Sequence, residues 1–104
     1  MFTIVGSYKK DEDFIVCATC SYSLNKMFKK GFEKYYSTEK EFWYNQLNGR
    51  ITFKNYKNIA NGFEESLQYI KDADERVKNS LFEKDMLEII NNIRNRKIRY
   101  LIMG

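Results

Sequence analysis

Apolar residues in this chain first run together, then fall into helical spacing, then alternate, and each regime predicts a different element. Residues 2–8 (FTIVGSY) are rich in strand formers, and 14–20 (FIVCATC) are apolar at nearly every position. Between them lies the charged cluster Lys9, Lys10, Asp11, Glu12 and Asp13. Two strands with a polar connection predict a β-hairpin. Because 14–20 lacks a polar face, it is expected in the sheet interior, covered on both sides.

From Leu24 onward the apolar positions Leu24, Met27, Phe28, Phe32, Tyr35 and Tyr36 recur every three or four residues. That spacing predicts a helix over 24–36 with one greasy stripe. Its other side carries Lys26, Lys30 and Lys34 as a ridge, with Lys29 beside it. Thr38-x-x-Glu41 has the form of a capping box, opening a short helix over 38–48 with Phe42, Trp43 and Leu47 inward. Asn48-Gly49 is its expected stop, since glycine takes the left-handed conformation that ends helices.

Residues 50–56 (RITFKNY) alternate apolar and polar, which predicts a strand with one wet face. Asn61-x-x-Glu64 then offers a helix start, continued by Phe63, Leu67 and Ile70. Ser80-x-x-Glu83 is a further capping box, and Phe82, Met86, Ile89, Ile90 and Ile93 give the most regular amphipathic pattern of the chain. The stretch 71–79 fits either one long helix or an interruption; a break near Asn79-Ser80 is favoured. Strand character returns at 97–103, and so apolar a segment is expected to be tied into the sheet. The order β-β-α-α-β-α-α-β predicts an α+β fold, a mixed four-stranded sheet with helices packed on it.

At 104 residues the chain fits one domain, 1–104, large enough for a single core. Its apolar runs fall far short of the ~20 residues that cross a bilayer, and the amino terminus has no charged-then-apolar signal pattern. A cytoplasmic protein with no membrane partner is therefore expected. Cys17 and Cys20 have the C-x-x-C spacing, but inside a strand rather than at a helix amino terminus, so buried reduced thiols are expected in place of a redox or zinc pair.

The formal charge is +4, and its layout is uneven. Residues 1–60 carry ten basic and six acidic side chains, 61–90 carry four and eight, and 91–104 add Arg94, Arg96, Lys97 and Arg99 without an acid. Basic patches beside one acidic helical segment follow. Lys outnumbers Arg thirteen to five, and Asn and Ile each occur ten times, the bias of an AT-rich coding sequence such as low-GC bacteria and their phages or plasmids carry.

Histidine is absent, which removes the commonest proton shuttle and metal ligand, whereas eight Tyr, eight Phe and one Trp supply contact area. The acidic groups Glu39 and Glu41, Glu64 and Glu65, and Asp72, Asp74 and Glu75 are too close in sequence to converge from one helix face. No phosphate-cradling glycine motif and no serine elbow is present. The expectation is a non-enzymatic binding protein without catalytic residues, metal or cofactor.

Two surfaces carry that expectation. Lys26, Lys29, Lys30 and Lys34, with Tyr36 and Tyr44 as aromatic anchors, suit a larger protein or nucleoprotein partner. A small inhibitor of a host enzyme or defence complex, in an anti-CRISPR-like role, has this character. Alternatively the same lysines and Arg94, Arg96, Lys97 and Arg99 neutralise the phosphates of a nucleic acid. A lysine-lined helix face is also the ordinary solvated solution, and exposed aromatics with an edge strand also fit a homodimer.

Overall fold

The computed structural model describes residues 2–9, 16–20, 25–33 and 48–103. They form β1 (Phe2–Ser7), β2 (Val16–Cys20), α1 (Asn25–Phe32), β3 (Asn48–Arg50), α2 (Tyr56–Ala73), a 3-10 turn (Glu75–Val77), α3 (Leu81–Arg94) and β4 (Tyr100–Met103). The fold is α+β. The helix expected over 38–48 lies outside the described residues up to position 47.

The β1–β2 hairpin forms as its sequence predicts, with Phe2 opposite Cys20 and Gly6 opposite Val16. The order across the sheet is β2-β1-β4-β3. The expected interior place of β2 is thereby corrected. Among the described residues it is an edge strand, and α3 lies against it. The apolar carboxy-terminal segment takes the interior place instead, between β1 and β3.

The expected mixed sheet is also corrected, since every pair runs antiparallel. The cause is the α2–α3 hairpin, which leaves from the end of β3 and returns beside it. Ile51 N donates to Arg99 O at 2.7 Å at that junction, so β4 must enter running the other way. The sheet proper is three-stranded, β2-β1-β4, and β3 adds only three residues on the outer side of β4. The third strand, expected over 50–56, does not form as such: within that range only Arg50 pairs, as the last residue of β3. Asn55 Oδ1 accepts from Thr52 N at 2.7 Å and Thr52 O accepts from Tyr56 N at 3.0 Å, a turn that starts α2 five residues before the expected Asn61. Asn48 and Gly49 lie in β3, and no described glycine has positive φ, so Gly49 is not a helix stop.

Helix α2 is the centre of the fold, packed on α1 to one side and α3 to the other. Its buried stripe, Ile59, Ala60, Phe63, Leu67 and Ile70, follows helical spacing. Phe63 meets Phe28 and Phe32 of α1 edge-to-face, at centroid distances of 6.1 and 5.1 Å. Burying one such ring contributes about 2–3 kcal/mol, and ring pairs add to that. Two glycines make the crossing this close. A Cβ at Gly62 would stand 2.3 Å from the Phe32 ring, and one at Gly31 would stand 2.6 Å from the backbone nitrogen of Ser66. Ser66, fully buried, donates its hydroxyl to Gly62 O at 2.6 Å, with Phe28 O at 3.3 Å, which satisfies a polar atom in an otherwise apolar contact.

The stretch between α2 and α3 is broken, as favoured, but from Asp74 onward and through the 3-10 turn. Asn79 has φ 62°, and Ser80 caps α3 by accepting from Glu83 N at 3.2 Å. The Glu83 carboxylate reaches back to Asn79 N at 3.1 Å, one residue earlier than in the standard box. Met86, Ile89, Ile90 and Ile93 are buried beneath α3, with Phe82 half-buried against them. Among the described residues no helix is long and apolar enough to cross a membrane.

Candidate functional site

Two acid-free stretches of the sequence meet at the β3–β4 junction. Residues 48–63 contain Arg50, Lys54 and Lys57 and no Asp or Glu; residues 89–104 contain Arg94, Arg96, Lys97 and Arg99 and likewise no acid. The strand register sets Arg50 opposite Tyr100, and Arg99 N donates to Ser7 O at 2.9 Å, which brings in Tyr8 from the end of β1.

From these three segments a continuous chain of rings and cations is built. Arg99 lies over the Tyr8 ring at 4.6 Å, and its Nε donates to Arg96 O at 3.1 Å. The Arg96 guanidinium lies over Phe53 at 4.5 Å and over Tyr56 at 5.2 Å. Lys57 Nζ stands 5.9 Å from the centre of the Tyr56 ring on the far side of the series. Phe53 and Tyr56 meet edge-to-face at 6.3 Å. Cation–ring contacts of this kind contribute about 0.5–1 kcal/mol each at exposed positions, so they order the side chains more than they stabilise the fold.

Arg96 occupies a costly backbone position. Helix α3 ends in a Schellman motif: Lys97 N donates to Asn92 O at 2.9 Å and Arg96 N to Ile93 O at 3.1 Å. The residue that closes this motif must be left-handed, and glycine is its usual occupant. Here it is Arg96, at φ 65°. A residue with a Cβ raises the cost by about 1–2 kcal/mol. The side chain is held in return, with Nη1 donating to Ile51 O at 2.8 Å and the guanidinium on two rings. Its Nε finds no acceptor among the described residues. Strain held in place by surrounding contacts is the pattern of a residue kept for its side chain.

Among the described residues no acid pairs with the cations of this edge. The ion pairs among the described residues lie on the helices: Lys71 with Glu83 at 3.0 Å, Arg76 with Asp74 at 2.8 Å and Arg94 with Glu64 at 2.8 Å. None of them involves Arg50, Lys54, Lys57, Arg96, Lys97 or Arg99. The shifted carboxyl groups sit with the helices too. The Lys71 ammonium, then donation from Asn79 N, holds Glu83 below its ordinary range, and Arg76 does the same for Asp74 through its side chain and backbone N–H.

The residues singled out from sequence separate accordingly. Arg96, Lys97 and Arg99 are brought together, whereas Arg94 points its charge into the pair with Glu64 that ties α3 to α2. On α1, exposed Lys30 lies over the Tyr69 ring of α2 at 4.4 Å. Lys26 and Lys29 belong to the same helix with side chains outside the described part, and Lys34, Tyr36 and Tyr44 lie outside it altogether. Cys17 and Cys20 are strand residues of β2, as expected. Sequence reasoning did not single out Arg50, Phe53, Lys54, Lys57 or Tyr8 for this face. The signal that would have found most of them is the absence of acids over sixteen consecutive residues, twice.

No three His, Cys, Asp or Glu side chains gather among the described residues where a metal ion could be held. A shallow concavity of about 440 Å³ is lined by Asn79, Ser80, Leu81, Glu83, Lys84 and Leu87; its single carboxylate is the one paired with Lys71. Compared with protein-family models, curated proteins and solved structures, the chain gives no match.

Proposed function

We propose that this chain is a non-enzymatic nucleic-acid-binding protein whose contact face is the edge built by Arg50, Phe53, Lys54, Lys57, Arg96, Lys97 and Arg99. The observation that carries the reading is the series of cations, without an ion pair among the described residues, interleaved with the rings of Tyr8, Phe53 and Tyr56, in which the two segments that supply the cations hold no acid. Phosphates supply the missing counter-charge, and rings add contact area that a purely ionic surface lacks. Arginine suits the task because its planar, donor-rich head meets a phosphate oxygen pair while one face stays on a ring.

A gel-shift series across salt tests this. Six cations meeting phosphates correspond to a slope of log affinity on log salt of about −4 on single strands and about −5 on duplex. The variant Arg96→Gly keeps the helix end, since glycine is at ease in the left-handed position, and is expected to weaken binding and flatten the slope. Absence of any retardation at low salt overturns the reading. Capture of an acidic protein under the same conditions would then assign the face to inhibition of a larger partner.

A further inference from the structure

The exposed ring of Phe53 says which form of nucleic acid this face takes. Phe53 is 77% exposed, more than any other large apolar side chain described, although it stands beside a well-formed core. Its place is set by the turn beneath it, where Asn55 Oδ1 accepts from Thr52 N and Thr52 O accepts from both Asn55 N and Tyr56 N. Arg96 lies over the ring and Tyr56 meets it edge-on, and most of the ring surface still faces solvent. Lys54 and Lys57 follow it in sequence, both exposed.

A duplex hides the faces of its bases in its own stack and offers a protein only phosphates, sugars and base edges. A ring presented outward on a hydrogen-bonded turn has nothing to stack on there. An unpaired base has a free face, and stacking on phenylalanine needs no hydrogen bond, so it tolerates any base. Resting on the reading of this edge as a nucleic-acid interface, we infer that Phe53 is a base-stacking platform and that the face selects single-stranded nucleic acid, with little preference for sequence. The neighbouring cations hold the phosphates on either side of the stacked base.

The experiment compares fluorescence-labelled oligo-dT, oligo-U and a DNA duplex carrying the same number of phosphates, by anisotropy at fixed salt, on the full chain and on Phe53→Ala and Phe53→Trp. Single strands are expected to bind about tenfold or more tightly than the duplex. Phe53→Ala is expected to lose about tenfold more affinity on the single strands than on the duplex, while Phe53→Trp keeps or improves the single-strand affinity. The oligo-dT and oligo-U arms separate DNA from RNA as the source of the strand. Equal, salt-sensitive affinity for strand and duplex with no effect of Phe53→Ala overturns the stacking inference and leaves the phosphate-binding face intact. No binding to any probe at low salt overturns both.

Discussion

Phe63 and Phe53 are ten residues apart and both meet another aromatic ring edge-on, yet one is fully buried and the other is 77% exposed. In the α1–α2 crossing the ring is surrounded by Phe28, Phe32 and two glycines that bring the backbones together. At the β3–β4 edge the ring is bordered by guanidinium and ammonium groups and by solvent. The same side chain stabilises the fold in the first place and, in the role proposed for it, is offered to a partner in the second. Burial, more than ring geometry, separates the two rings.

The largest effect that would sharpen this contrast is the loss of each ring. Phe63→Ala is expected to cost about 3–5 kcal/mol in urea unfolding, because it leaves a cavity under Phe28 and Phe32. Phe53→Ala should stay within about 0.5 kcal/mol of the parent. Equal losses for the two would break the comparison, for they would make Phe53 a core residue.

A smaller effect tests the closeness of the crossing. Gly62→Ala drives a methyl into the Phe32 ring, with an overpacking cost of about 1–3 kcal/mol. It also removes a helix-interior glycine, which returns up to about 1 kcal/mol. Net destabilisation by thermal melt is the expected outcome. A rise in melting temperature would show that the helices part easily.

The smallest effect concerns the acid limb. Lys71 and the Asn79 N–H lower the folded-state carboxyl pKa of Glu83, so its contribution to stability is present above the unfolded carboxyl range. It is lost as pH falls through the folded value. Glu83→Gln is therefore expected to reduce stability at neutral pH and to flatten its decline on acidification, followed by chemical denaturation at a series of pH values. An unchanged acid limb would show the Lys71 pair to be fully screened by solvent.

Much of the fold was legible in local pattern. The β1–β2 hairpin, the helix over 81–94 with its Ser80 cap, and the buried set Met86, Ile89, Ile90 and Ile93 follow from periodicity and capping chemistry, which act within a few residues. The 50–56 segment misled because alternation alone does not distinguish a strand from a turn that feeds a helix. Asn55, whose side chain closes that turn onto Thr52, carried the opposing signal. The edge position of β2 was hidden for a different reason, as an apolar run reports cover over the faces of a strand and does not say whether another strand pairs along each edge.

The candidate site divides along the same line. Composition by itself determined that this chain lacks imidazole, that its rings are numerous and that its last fourteen residues are basic without an acid, because those are properties of residues one at a time. Only the folded chain decided that Arg96 and Arg99 lie against Phe53, Tyr56 and Tyr8, while Arg94 is claimed by Glu64. Those partners are separated by some thirty to ninety positions, and the distance between them is set by how α2 and α3 return β4 to the sheet.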